Sequence, residues 1–253
     1  MDLISLQSGS NGNCIYVETG DVRLLFDAGI SGRQAAGRLA AAGRDITRVN
    51  ALIVSHDHAD HVRCAGIYQR KFGIPLHVTE TTLRAAQSSC DLGALGEVSH
   101  FRAGDPICFG RVRVETIRTP HDGADGVAFI VDDGISRLGI FTDLGHVYDD
   151  LKSALATVDA ALIESNYDPD MLQNGPYPRY LKSRITGPKG HISNIESAEL
   201  IAQCGTRLRW ACLGHLSEQN NTPELTLRTH RAVNGSMRYH MAGRYGAGDL
   251  LKV

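Results

Sequence analysis

Apolar residues in this chain fall in short runs separated by Gly-, Asn- and Asp-containing turns, the pattern of brief buried strands joined to helices. Leu3–Leu6 reads as a first strand. Cys14–Glu18 and Val22–Phe26, with Gly20-Asp21 between them, predict a hairpin. Ser31 is placed to cap a helix running to about Ala42, and Gly43 to stop it. Ala51–Val54 reads as a buried strand, and Val62–Phe72 is long enough for a helix. Ile74–Val78 predicts a strand and Thr79–Ser88 a helix, with Glu80 favourably placed in its first turn. Strands return at Ile107–Phe109, Val112–Val114, Val127–Val131 and Ile135–Phe141, the last two joined by a turn at Asp132-Asp133-Gly134. Val158–Ile163 and Leu208–Leu213 are the last buried strands. Between them Ser193 or Asn194 caps a helix reaching about Gln203. Two strand-rich blocks, each followed by helices, predict an α/β architecture.

Composition adds boundaries. With 253 residues and no low-complexity linker, residues 1–253 are expected to form a single domain able to bury a sizeable core. A net charge of −2 gives no global sign of a nucleic-acid partner, although a local basic patch would suffice. The 6 cysteines include no Cys-x-x-Cys pair, so a disulfide framework is not expected and a reducing, cytoplasmic setting is. No stretch approaches the roughly 20 apolar residues that span a bilayer, and the chain opens in a strand-like run rather than a signal peptide.

The candidate chemistry concentrates in His56-Asp57-His58-Ala59-Asp60-His61, where a strand gives way to a helix. An extended backbone points His56 and His58 to the same side. The turn that follows can aim Asp60 and His61 at a second point nearby. Imidazole nitrogens and a carboxylate suit zinc, manganese or iron, and the doubled arrangement suggests two divalent ions side by side.

Two further stretches and one further residue carry weight. Ser8–Asn13 is a Gly/Ser/Asn loop that reads either as a tight turn or as an anion-holding set of backbone amides. Asp27, at a strand end, reads either as the orienting partner of a metal-binding histidine or as a local backbone bond. Met171–Gly190 holds Arg179, Lys182, Arg184 and Lys189, no acidic residue, and Tyr177 and Tyr180. These cations would hold phosphates and the rings would stack on bases, although a solvated helical surface would have the same composition. His77, His100, His230 and His240 read as structural or exposed, and nothing in the sequence fixes His146.

The His-x-His-x-Asp-His signature resembles that of the metallo-β-lactamase superfamily. The resemblance continues in order through His121, Asp143 and His215, each after a strand-like run. It implies the four-layer αββα sandwich. It also implies one divalent ion on His56, His58 and His121, another on Asp60, His61 and His215, and Asp143 bridging them. Glu164, Gly190-His191-Ile192-Ser193 and His215-Leu216-Ser217 look like the nucleic-acid-cleaving branch. Ser8–Asn13, Leu25–Gly29 and Asn174–Pro178 are similar to a group of 5′-to-3′ DNA exonucleases within it. That implies a dinuclear phosphodiesterase in which an activated water attacks phosphorus. Asp60 would double as the base that orients the water, and His191, supported by Glu164, would protonate the leaving oxygen. The alternative is hydrolysis of a small cyclic phosphodiester or thioester. A third reading, a non-catalytic nucleic-acid-binding module, is disfavoured by the complete ligand set.

Overall fold

Alternation along the strands sorts the apolar side chains into separate layers. In β9 (Val127–Asp132), Val127, Phe129 and Val131 enter a central core of 21 residues, while Ala128 and Ile130 enter an outer core of 16. β2 (Cys14–Thr19) divides likewise: Ile15 and Val17 face the central core, Cys14 and Tyr16 a second outer core. A strand buried on both faces needs a cover on each, and two stacked sheets flanked by helices supply it.

The computed structural model describes residues 1–253 and has that arrangement. One sheet runs β14 (Leu251–Lys252), β1 (Asp2–Gln7), β2, β3 (Val22–Phe26), β4 (Ala51–Ile53), β5 (Leu76–Val78), β6 (Val98–His100). The other runs β13 (Tyr239–Met241), β12 (Trp210–Gly214), β11 (Ala160–Glu164), β10 (Arg137–Phe141), β9, β8 (Val112–Arg118), β7 (Ile107–Phe109). Phe26 and Phe129 meet between the sheets with ring centroids 5.0 Å apart. Helices α1 (Gly32–Ala41), α3 (Ala65–Phe72) and α4 (Glu80–Ser89) cover the first sheet. Helices α5 (Asp149–Leu155), α8 (Asn194–Cys204) and α9 (Pro223–Val233) cover the second. The αββα sandwich expected from the resemblance is therefore the fold. No helix is long and apolar enough to cross a membrane.

Capping follows the sequence closely at α1, where Ser31 and Gln34 form a capping box, and at α8, where Ser193 and Glu196 do. Three expectations shift. The helix expected over Val62–Phe72 is two: α2 (Ala59–Val62) and then α3. The carbonyls of Asp60 and His61 accept from Asn13 N at 2.7 Å and Ala28 N at 2.6 Å, and Cys64 N donates to Ala28 O, so the ladder is drawn off into the neighbouring loops. The last strand before the expected bridging aspartate starts at Arg137, because Asp133 Oδ1 accepts from the amides of Ile135 and Ser136 and lengthens the turn. The basic segment folds as a helical hairpin, α6 (Pro169–Asn174) and α7 (Arg179–Ile185), around a small cluster of Tyr167, Leu172 and Ile185.

Candidate metal centre

Strands β3–β6 are mutually parallel, as are β10–β13, and most of the candidate residues lie at the C-terminal ends of these strands, with His121 following β8 and His191 preceding α8. His56 follows β4, Asp143 follows β10, Glu164 ends β11 and His215 follows β12. Three of the four non-glycine residues with left-handed backbones are here: Asp27 at φ 65°, Asp143 at 56° and His215 at 54°. Such conformations cost on the order of 1–3 kcal/mol each and persist where the surroundings over-determine them.

The loop 27–29 is built tightly against the motif. A Cβ on Gly29 would lie 1.6 Å from Asp60 O, so no larger residue fits there. Asp27 satisfies both of its readings. Its Oδ1 accepts from Ser55 N at 2.8 Å, and its Oδ2 accepts from His61 Nδ1 at 2.7 Å. Because His61 Nδ1 must carry the hydrogen, Nε2 presents a lone pair into the centre. His121 is oriented the same way, with Nδ1 donating to Gly190 O at 2.8 Å. Asp57 faces away from the centre and accepts from Ala124 N at 2.6 Å, tying down the loop that carries His121.

These lone pairs converge. His56, His58 and His121 present nitrogens within 4.8 Å of one another, as do the ligand atoms of Asp60, His61 and His215. Asp143 lies between the two groups. Its Oδ2 is 3.1 Å from His61 Nε2, and its Oδ1 is 3.5 Å from His121 Nε2 and 3.6 Å from His215 Nε2. His56 Nε2, His215 Nε2 and Asp143 Oδ2 are buried with no hydrogen-bond partner. Buried polar atoms left without a hydrogen bond are costly, and a pair of divalent cations fits the vacant valences of this set. Electrostatics agree. Burial pulls the His215 imidazole down, but the carboxylates of Asp143, Asp60 and Glu164 outweigh it and carry it up to about 10. Burial likewise opposes His61, whose carboxylate neighbours Asp143, Asp27 and Asp60 lift it well above its ordinary value. Positive charge is drawn to this spot.

Glu164 is fully buried. Its Oε2 accepts from Leu144 N at 3.0 Å, and its Oε1 accepts from His191 Nδ1 at 2.6 Å and His215 Nδ1 at 3.3 Å. Burial alone would raise this carboxyl; the two imidazoles, His191 foremost, hold it down at about 2. Both histidines therefore present Nε2 outward.

Residues 22–215 match the beta-lactamase superfamily domain. The chain belongs to the metallo-β-lactamase superfamily. It is 36% identical over 229 residues to the exodeoxyribonuclease WalJ of Streptococcus pneumoniae serotype 2 (strain D39 / NCTC 7466), covering 88% of this chain and 84% of that one. It is 34% identical over 221 residues to the exodeoxyribonuclease YycJ of Bacillus anthracis, covering 87% and 84%. In structure it is similar to the metallo-β-lactamase-fold protein YhfI of Bacillus subtilis, with a TM-score of 0.77, 16% identity and coverage of 99% and 98%. PqqB of Methylobacterium extorquens, a zinc-bound structure, superposes with a TM-score of 0.73 at 17% identity and covers 100% of both chains. The fold is that of the superfamily, which implies binding of divalent metal, and the His/Asp groups of this chain are placed to hold it.

Around this superfamily centre lies a cavity of about 350 Å³, walled by Ser10, Asp60, His191 and His215 on one side and by Leu181, Arg184 and Ile185 of α7 on another. Of the four cations expected to hold substrate, Arg184 alone lines it. Its guanidinium is bound to Asp122, Nε to Oδ2 at 2.7 Å and an Nη to Oδ1 at 3.0 Å. Lys182 Nζ donates to Gln173 O at 2.7 Å at the end of α6, and Lys182 and Arg179 line a separate cavity of about 880 Å³. Lys189 is exposed, and its carbonyl accepts from Asp122 N at 3.1 Å. The loop Ser8–Asn13 is a turn closed by the Asn13 side chain on Gly9, and it also braces the centre: Asn13 Nδ2 reaches Asp60 Oδ2 at 3.2 Å, and Ser8 Oγ accepts from His215 N at 2.9 Å. His146 is exposed and donates to Pro188 O at 2.7 Å. His230 is buried between α8 and α9, bonded to Thr226 O.

Several positioning residues escape sequence reasoning. Asn166 Nδ2 donates to His215 O at 2.7 Å, and Asn194 Oδ1 accepts from Ser165 Oγ and Asn221 Nδ2, lashing together the loops that carry Glu164, His191 and His215. Asp122 is the other. Its only signal was adjacency to His121.

Proposed function

We propose that this protein is a metal-dependent exodeoxyribonuclease working 5′ to 3′ on DNA, with residues 1–253 acting as one catalytic domain. The observation that carries the reading is the His191 Nδ1–Glu164 Oε1 bond of 2.6 Å beside the two groups of metal-type ligands. A hydrolase needs a positioned acid opposite its nucleophile, and here a buried carboxylate fixes an imidazole with its free nitrogen toward the cavity. The relatives named as exodeoxyribonucleases, at 34% and 36% identity over most of the chain, support the same class and the DNA substrate.

His56, His58 and His121 would hold one divalent ion and Asp60, His61 and His215 the other, with Asp143 between them. Zinc or manganese suits this nitrogen–oxygen set, and iron is compatible. When bound, the ions supply a water acidic enough to attack near neutral pH and positive charge for the phosphoryl oxygens. Asp60 turns a carboxylate toward the cavity, where it orients the attacking water. His191 gives its proton to the departing 3′-oxygen, leaving a 5′-phosphate, and Glu164 stabilises the imidazolium before transfer. Arg184 would meet the strand end at the cavity, and Arg179, Lys182 and Lys189 would hold phosphates of the strand outside it, without reading bases. The 6 free cysteines suit a reducing compartment, and we assign the protein to the cytoplasm.

The test is cleavage of end-labelled single-stranded DNA with manganese or zinc, comparing wild type with His191→Ala and Asp60→Ala. Stepwise release of 5′-phosphorylated mononucleotides, lost in both variants, is expected. The modest cavity also fits a small cyclic phosphodiester or thioester. Rapid turnover of such a compound, with DNA and RNA left intact, would replace the nuclease reading with that one.

A further inference from the structure

Helix α7 separates two cavities. Leu181, Arg184 and Ile185 wall the metal-centre cavity, and Arg179, Lys182 and Ser183 wall the larger one behind. A polynucleotide threading past the metal centre without a free end would need these spaces joined into a trough. What keeps them apart is slight. Helix α7 has 7 residues, and Pro178 at its N-cap offers no side-chain cap. A helix that short does not stand on its own backbone bonds. Ile185 is its one buried residue, in a cluster of 3.

The directional fastener is Arg184. Both ends of its guanidinium grip the Asp122 carboxylate, at 2.7 and 3.0 Å. Asp122 Oδ1 in turn stands 3.4 Å from His58 and 3.4 Å from His121. Lys182 Nζ bonds Gln173 O within the same helical hairpin, and His191 N bonds Ile185 O at the last residue of α7. The other bonds to this region, Asp122 N to Lys189 O, His121 Nδ1 to Gly190 O and His146 Nδ1 to Pro188 O, lie beyond the C-terminal end of the helix, which leaves Arg184 as the side-chain tie from the helix body to the metal-centre wall.

We infer that the Arg184–Asp122 pair determines end specificity: it latches α7 as a partition, so that a strand terminus enters the metal-centre cavity and an uninterrupted strand does not. The inference rests on the nuclease reading for its substrate. It makes Asp122 a positioning residue and gives Arg184 a second role beside its contact with the strand. Lysine could supply the charge but not the two-point grip, so Arg184→Lys should loosen the partition only in part.

The experiment compares closed circular single-stranded DNA with the same strand linearised, using manganese-loaded protein. The readout is the ratio of the two cleavage rates, which cancels any general loss of phosphate contact. Wild type should degrade the linear strand and spare the circle. In Arg184→Ala the ratio should rise by about tenfold or more, as expected on losing a charge-assisted two-point contact, and in Arg184→Lys by less. Limited proteolysis of the connection 175–178 gives a readout independent of turnover, with faster cutting expected in Arg184→Ala. Wild type that cuts circles overturns the inference, as does Arg184→Ala that degrades linear DNA yet spares circles. If no form cleaves DNA at all, the nuclease reading fails on its own, and proteolysis decides the partition: faster cutting keeps it, an unchanged rate removes it.

Discussion

The two walls of the catalytic cavity are built to different standards. The metal-centre wall stands on the ends of strands whose side chains fill cores of 21, 21 and 16 buried residues. Its key side chains are further locked by second bonds, Asp27 to His61, Gly190 O to His121 and Glu164 to both His191 and His215. The α7 wall stands on 3 buried residues and one bidentate ion pair. Reaction geometry is thus invested in the cooperative part of the molecule, and access to it in a part that can open locally without unfolding the rest.

The sharpest way to break this contrast is at the shared carboxylate. Asp143→Ala should abolish activity and strip both ions, read as metal content after gel filtration. Next in size is His191→Ala, expected to lower kcat by about 10²–10⁴-fold with metal content unchanged, since it removes an acid and no ligand. Glu164→Gln should lower kcat less, because His191 Nδ1 keeps a hydrogen-bond acceptor but loses the buried carboxylate that fixes the ring; kcat measured at unchanged metal content checks this.

Removing the metals probes the same wall thermally. Chelation should lower the Tm, corresponding to about 2.7 kcal/mol for an ion present at 100 times its Kd. The metal-free protein should also change its response to pH. His215, raised from 6.5 to about 10, adds stability that is complete below pH 6.5 and lost as pH rises through about 10. Glu164, lowered from 4.5 to about 2, adds stability that is complete above pH 4.5 and lost as pH falls through about 2. Their joint contribution is therefore greatest between pH 4.5 and 6.5. On the proposed ligand set, bound cations would replace the proton on His215 and should extend that plateau upward, visible as diverging melting curves of loaded and chelated protein. The smallest effect belongs to the far side of α7. Arg179→Ala should raise KM a few-fold and reduce the salt slope of DNA binding by about one.

How much of this was legible beforehand depended on whether a residue acts through the chain or across it. His56, His58, Asp60 and His61 announce themselves because their spacing, on a strand-to-turn boundary, already determines which way they point. The unbroken apolar runs of β9 and β2 likewise mark strands buried on both faces, whereas which residue enters which of the three cores follows from the fold. Asp122 could not be read, because its importance comes from Arg184, far away in sequence, and Asn194 could not, because its partners lie on two other loops. The break between α2 and α3 was hidden for a related cause: carbonyls that local periodicity assigns to a helix are used by Asn13 and Ala28. The four cations of 179–189 show the limit of composition. Two residues apart on one helix, Arg184 and Lys182 point to opposite faces and line different cavities.

The left-handed backbones at Asp27, Asp143 and His215 have a consequence for anyone who sets out to make this protein hardier. At each position glycine would relax the main chain, so a selection that rewards survival on heating in the absence of metal, above the pH of about 10 where the contribution of His215 is gone, would favour glycine at Asp143 and His215. The variants that came through would be sturdier and inert. Any such campaign has to screen for turnover at every round, or it will discard the centre it was meant to preserve.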